Sequence, residues 1–252
     1  KAAAGINKDF KAAGLYDLRL RLSRIAPIVH INEYLYSDVT LDNRKSGEKI
    51  FDYVDPKNRG VQLEMEEACT DHLKAIGAYL EPEFDTIEFN AGDFANEASV
   101  IIPVRNRKRT IADAVKSALG QKTDFPYNVI VIDNHSTDGT TEILAELAKN
   151  ESRLIHLVPE RDDLGIGGCW NLGVANPECG KFAVQLDSDD VYADENTLAK
   201  IVKAFYEQNC GMVVGTYMLT DINLQMLPPG VIDHKEWTPE NGRNNALRIN
   251  GL

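Results

Sequence analysis

The sequence has 252 residues, enough for one large α/β domain or for a domain with a smaller companion. Its 39 acidic residues outnumber 27 basic ones, and the formal net charge of -12 argues against a nucleic-acid protein, whose phosphate-gripping face would be basic. With 43% hydrophobic and 26% charged residues, the composition is that of a folded globular protein rather than a disordered one.

The first 95 residues carry scattered charges and little periodicity. Within them Glu64–Leu80 reads as a helix with Met65, Ala68, Cys69, His72, Leu73, Ile76 and Leu80 on one side, stopped by Pro82. Residues 84–98 are acidic and read as a connector. From there strands and helices alternate. Ser99–Val104 (SVIIPV) is a β-rich run, and Thr110 opens a helix with Ile111, Val115, Ala118 and Leu119 at helical spacing, stopped by Gly120. Asn128–Ile132 (NVIVI) is a second strand. A Ser/Thr/Asp/Gly turn leads from it to a helix with Ile143, Leu144 and Leu147 on one face. Arg153–Val158 is a third strand, closed by Pro159; Gly165–Gly168 is a loop before a short helix around Trp170–Ala175. Phe182–Leu186 (FAVQL) is a fourth strand. Asp194 caps a helix with Leu198, Ile201, Val202 and Phe205 inward and Gly211 at its end, and Met212–Met218 is a fifth strand. This alternation predicts an α/β fold with a mostly parallel sheet covered by helices on both faces, preceded by a helix-containing segment.

The four cysteines form no C-x-x-C pair, which removes a zinc or thioredoxin signature and favours a reducing compartment. No apolar run approaches the roughly 20 residues of a membrane span, and residues 1–11 contain no apolar leader core. These features predict a cytoplasmic location with no membrane span in this chain.

Ligands of an open α/β sheet bind beyond the carboxyl ends of its strands. Three such ends carry polar groups: Arg105-Asn106-Arg107-Lys108-Arg109, then Asp133 to Gly139, then Asp187-Ser188-Asp189-Asp190. Carboxylates this close repel one another unless a cation sits among them. Their hard oxygens suit Mg²⁺ or Mn²⁺, held through one or two carboxylates plus substrate phosphates. An acidic turn that merely caps the next helix would use the same residues; so would a plain Asx turn at Asp133–Gly139 and a solvated basic loop at Arg105–Arg109. For the basic run, one cation at the site is the better expectation than all of them. No P-loop is present, and Gly165–Gly168 does not complete G-x-G-x-x-G because Trp170 stands at the last position. Among the histidines only His135 falls on this rim, while His156 lies inside a strand.

SVIIPVRN, VIVIDNHSTDGT and GIGGCWNLGVANPECGKFAVQLDSDD, spanning residues 99–190, resemble in order and spacing the nucleotide-binding half of family 2 glycosyltransferases of the GT-A fold. The resemblance implies an inverting, metal-dependent hexosyl-type transfer from a nucleotide diphosphate sugar to a glycan or other hydroxyl acceptor, as in polysaccharide biosynthesis. It assigns the nucleotide to Pro103, Arg105, Asp133 and Asn134, the donor sugar to Asp187, and Mg²⁺ or Mn²⁺ to Asp187 and Asp189, the D-x-D pair. The chain departs from the family at Arg105, where a small or aromatic residue is usual, at Asn134, where a second Asp is common, and at Trp170, where an Arg is common.

Residues 16–37 more weakly resemble the family's late segment, so late-type sequence precedes early-type sequence. The expected organisation is therefore a segment 1–95 that ends a preceding or permuted unit, and a domain 96–252 incomplete at its C-terminus. No general base is named; Asp17, Asp221, Asp233, Glu236 and Glu240 are the acids available to that role. Two other functions fit the same residues. Asp187–Val191 matches the D-x-D-x-[TV] of haloacid-dehalogenase-like phosphohydrolases, and a nucleotide-sugar-binding module without a base would need the same rim.

Overall fold

In a computed structural model the description covers residues 5–37, 39, 58–81, 83 and 85–234. The chain forms two compact units, residues 86–213 and residues 1–85 with 214–252.

The sheet of the first unit contains β1 (Ala98–Val104), β2 (Tyr127–Asp133), β3 (Leu154–Leu157) and β4 (Phe182–Gln185), all parallel in the order β3-β2-β1-β4. Every residue of β1 and β2 is buried, which is why both read as unbroken apolar runs. Side chains alternate between two faces. Val100, Ile102, Val104, Val129 and Val131 pack with Ile111, Val115 and Ala118 of α3 (Ile111–Leu119), Leu144 of α4 (Thr140–Asn150), and Leu198 and Val202 of α6 (Thr197–Gln208). Ile101, Ile130 and Ile132 face α5 (Gly165–Val174), where Cys169, Leu172 and Trp170 meet them. Gly173 lets α5 lie close: a Cβ there would stand 2.5 Å from Ile101 Cγ2 and 2.9 Å from Ile132 Cδ1. The cover on this face stops short of β4, whose Ala183 and Gln185 are exposed.

Pro103 fits a central strand because of where it falls. The Ile101 carbonyl accepts from Leu186 N on the β4 side, and the Val104 carbonyl accepts from Asn134 N on the β2 side. By alternation, residue 103 faces β4, which has already stopped pairing at Ile101. The missing N–H therefore breaks no ladder bond.

Several expectations change. Met212–Met218 does not extend the sheet: β5 is Tyr217–Thr220 and pairs antiparallel with β6 (Met226–Ile232). α6 ends at Gln208 with Asn209 left-handed (φ 47), before Gly211, and Met212 is exposed. Gly165–Gly168 is the first turn of α5, not a loop. Asp194 does not cap α6 directly; Asn196 is at the N-cap, and Asp194 Oδ1 accepts from Asn196 N at 2.8 Å in the turn before it.

In the second unit, α1 (Gly14–Ser23) packs on α2 (Arg59–Ala75). α1 has no capping side chain of its own. Glu64 of α2 supplies one from outside: its carboxylate accepts from the backbone N–H of Lys11, Ala12 and Ala13 at 3.1, 2.7 and 3.1 Å. α2 begins and ends about one turn earlier than the sequence predicts; Ala68 is buried but Ile76 and Leu80 are exposed, and Pro82 lies outside the described residues.

Candidate active site

Because the four strands are parallel, the segments following β1, β2 and β4 leave the sheet on one rim. The first two are laced together. Asn106, left-handed at φ 55, donates its N–H to Ser136 Oγ at 2.9 Å, and its Oδ1 accepts from Thr137 N at 2.8 Å. The Arg107 N–H donates to Thr140 Oγ1 at 3.0 Å and the Lys108 N–H to Asp138 Oδ2 at 3.0 Å. Asp138 also takes the Thr140 hydroxyl at 2.6 Å, and this bond, ahead of that from the Lys108 backbone, holds its carboxyl below the usual range.

Asp133 closes β2 with no exposed surface. Its Oδ1 accepts from Ser136 N at 3.0 Å and its Oδ2 from the Thr141 hydroxyl at 2.5 Å, while His156 Nε2 lies 3.5 Å from Oδ2. Burial pushes this carboxyl up, but His156, Ser136 and Thr141 outweigh it and hold the group well below the carboxylate range. Asp133 thus faces inward and fixes the turn that follows it. Asn134 is different. It is buried, yet its side-chain Oδ1 meets no hydrogen-bond partner among the described residues. An amide oxygen left that way costs about 1–3 kcal/mol unless something donates to it. His135 is left-handed (φ 57), and its Nε2 lies 3.1 Å from the Arg161 carbonyl, tying this turn to the approach to α5.

After β4 the chain turns on Asp190 N–H donating to Asp187 O at 3.1 Å. Ser188 is buried, Asp187 is half-buried with Gln185 Nε2 3.5 Å from its Oδ1, and Asp189 and Asp190 are exposed. Water reaches Asp190, but burial first, and then the charges of Asp187 and Asp189, push its carboxyl up to about 6. Across the rim, Arg107 Nε lies 3.4 Å from Asp189 Oδ2. Among the described residues this is the one ion pair made by either the basic run or the acidic cluster. Arg105, to which the resemblance assigns the nucleotide, is exposed at the rim without such a pair.

Among the described residues no three His, Cys, Asp or Glu side chains form a group able to hold a metal ion alone. The oxygen donors of Asp187 and Asp189 instead fit a hard cation that takes its remaining ligands from phosphates and water. Of the acids available as a general base, Asp17 is buried in a 2.7 Å pair with Arg21, and Asp221 Oδ1 accepts from Asn223 N and Gln225 N in the β5–β6 turn. Asp233 is engaged with a neighbour, and Glu236 and Glu240 lie outside the described residues. Sequence reasoning expected one cation of the basic run without singling out Arg107, and it passed over Thr141 and the His156–Asp133 contact. A threonine right after D-G-T was the only written sign of the former, and the latter joins two strands and leaves no sign.

A parallel α/β layer that gathers basic groups, a polar turn and carboxylates on one rim places them where ligands of such sheets bind. The family model described as Glycosyl transferase family 2 matches residues 99–244, and the chain belongs to that family. This match replaces the phosphohydrolase reading of Asp187–Val191. A relative named "Uncharacterized glycosyltransferase" from Rickettsia felis is 27% identical over 215 residues, covering 77% of this chain and 34% of its own length. "O-antigen chain rhamnosyltransferase WbaN" from Salmonella anatum is 28% identical over 117 residues, 46% of this chain and 36% of its own length. The crystal structure of S. aureus TarS 1-349 in complex with UDP is 32% identical with a TM-score of 0.38, covering 44% of this chain and 32% of that one. The chain spans about a third of the length of such relatives. Among the described residues no helix is long and apolar enough to cross a membrane.

Proposed function

We propose that the rim binds the nucleotide diphosphate of an activated sugar, and that the protein containing this chain transfers the sugar to a glycan hydroxyl with inversion. The observation that carries this is the joining of three strand ends in one family 2 domain. Asn134 Oδ1, without a partner among the described residues, lies at one end of the rim and an Arg107–Asp189 pair at the other. Asn134 Oδ1 takes a base N–H, with Pro103 and Arg105 beside the nucleoside. Asp133 serves the nucleotide indirectly, by setting the turn that carries Asn134. Asp187 and Asp189 are the ligands for Mg²⁺ or Mn²⁺, Asp187 also facing the donor sugar. When bound, that cation supplies charge neutralisation for the departing diphosphate. The acceptor oxygen bonds to the anomeric carbon as the bond to the diphosphate breaks, and a base supplied outside these three strand ends takes the hydroxyl proton. All three strand ends lie within residues 86–213, one compact unit, and that unit is the donor-binding half. A relative named for O-antigen chains supports a glycan chain as acceptor.

The test is thermal unfolding with UDP, GDP and dTDP, each with Mn²⁺ or with excess chelator. A ligand at 100 times its Kd adds about 2.7 kcal/mol. One nucleotide should raise the midpoint with Mn²⁺ and fail to do so in chelator. No shift with any of them overturns nucleotide binding, and equal shifts in chelator overturn the metal assignment.

A further inference from the structure

We infer that Arg107 is an exchangeable counter-ion of the site: its guanidinium and the divalent cation are alternative partners of the Asp189 carboxylate, and Arg107 moves from Asp189 to the diphosphate as donor binds. The inference rests on the donor site proposed above and adds a role for a residue that neither the family resemblance nor the site assignment uses.

Three features of the rim support it. First, Arg107 forms an ion pair with the carboxylate the metal would need, with Nε 3.4 Å from Asp189 Oδ2, while its side-chain hydrogen bond is a long one, Nη1 to Asn106 O at 3.4 Å. Second, its backbone is fixed and its side chain is not. The Arg107 N–H is held by Thr140 Oγ1, and both neighbours are held by Ser136 and Asp138. The Arg107 and Asp189 side chains, however, are 49% and 52% exposed. The guanidinium can therefore change partner by side-chain rotation alone, without moving the turn beneath it. Third, an ion pair this exposed is weak, so Asp189 is readily given up to a doubly charged competitor. A planar guanidinium released beside a diphosphate finds a better partner there, since it donates two parallel hydrogen bonds to phosphate oxygens. Arg107 thus lowers affinity for metal alone and raises affinity for the nucleoside diphosphate complex. It couples the two ligands so that the carboxylates are filled mainly when a diphosphate is present to receive the arginine.

Removing any nearby positive charge would shift both affinities in the same directions, so the test needs a charge control. Arg109 lies in the same loop and has no ion pair with the cluster among the described residues. The full chain and its Arg107→Ala, Arg107→Lys and Arg109→Ala variants are titrated with Mn²⁺ alone, followed by the electron paramagnetic resonance of free Mn²⁺. They are then titrated, with Mn²⁺ present, with whichever of UDP, GDP and dTDP stabilises the wild type, and with its parent nucleoside. Relative to Arg109→Ala, Arg107→Ala should bind Mn²⁺ alone about twofold to fivefold more tightly, on the order expected for a displaced surface pair. It should bind the nucleoside diphosphate about tenfold more weakly, as expected for a lost charged phosphate contact, and the nucleoside unchanged. Arg107→Lys should fall between. Equal behaviour of the Arg107 and Arg109 variants overturns the inference, as does an equal loss for nucleoside and diphosphate, which would make Arg107 a prop for the turn. Those results leave nucleotide binding by the wild type standing. A wild type that binds no nucleoside diphosphate with Mn²⁺ overturns both the inference and the function it rests on.

Discussion

Replacing Gly173 with alanine sets two opposing effects against each other. Gly173 lies in α5, where Gly→Ala adds about 1 kcal/mol through helix propensity. The new Cβ, however, would stand 2.5 Å from Ile101 Cγ2 and 2.9 Å from Ile132 Cδ1, both on fully buried side chains. Overpacking a tight core costs about 1–3 kcal/mol. A β-branched γ-methyl is stiff and cannot swing aside, which places this site near the upper end. The net expectation is a loss of about 1–2 kcal/mol, or roughly 3–8 °C in Tm for a unit of this size. Urea unfolding followed by tryptophan fluorescence measures it, since Trp170 sits in the same helix. A double-mutant cycle then identifies the atoms. Ile132→Val deletes the Cδ1 at 2.9 Å and should cost about 0.5–1.5 kcal/mol alone but close to nothing beside Gly173→Ala. Ile101→Val deletes a Cδ1 3.5 Å away and keeps the offending Cγ2, so it should rescue little. A Gly173→Ala protein as stable as wild type, or more so, would refute the close approach of α5 to the sheet.

At Gly180 a Cβ would meet Ala98 C and Asn96 O at 2.8 Å, backbone atoms that cannot rotate away, so Gly180→Ala should cost more than Gly173→Ala, about 3 kcal/mol, in the same urea assay. Asp133 is held below its ordinary range in the folded chain, so its stabilisation is complete above about pH 4 and is lost as pH falls toward the folded value. The stability gap between wild type and Asp133→Asn should therefore be about 1–3 kcal/mol at pH 7 and shrink steadily below pH 4; a gap constant with pH removes the charge from the account. Asp189→Ala should change stability by less than about 0.5 kcal/mol, because its pair with Arg107 is half exposed, while Mn²⁺-dependent stabilisation by nucleotide disappears. Retained stabilisation would move the metal elsewhere.

The central strands were legible because burial on both faces writes an unbroken apolar run, as in β1 and β2. Met212–Met218 is equally apolar, but apolarity does not name a pairing partner, and the chain there leaves the sheet for a hairpin. The start of α5 was hidden because three of its first four residues are glycine, each costing roughly 1 kcal/mol in a helix. What overrides this is tertiary: Cys169, Leu172 and Trp170 seal the helix onto the sheet. On the rim, composition pointed to three segments that the fold brings together, but not to which cation reaches the carboxylates. That depends on the left-handed backbone of Asn106, which redirects the chain between Arg105 and Arg107.

The bonding of the rim divides its work. Between the segments after β1 and β2, five hydrogen bonds with Asn106, Arg107 and Lys108 fix the geometry, and Asp133 fixes the second segment from beneath. Between either of these and the acidic turn after β4, the described contact is a single exposed ion pair. The part of the rim near Asn134 is thus organised before any ligand arrives, which lowers the ordering cost of binding there. The part near Asp189 is held weakly and can rearrange. A planar base gains most from a rigid pocket, whereas in the proposed reaction a flexible diphosphate with its cation must be accommodated, parted from the sugar and released. Rigidity at one end and looseness at the other therefore suit the proposed donor site, in which the nucleoside is gripped and the charge at the diphosphate changes partners.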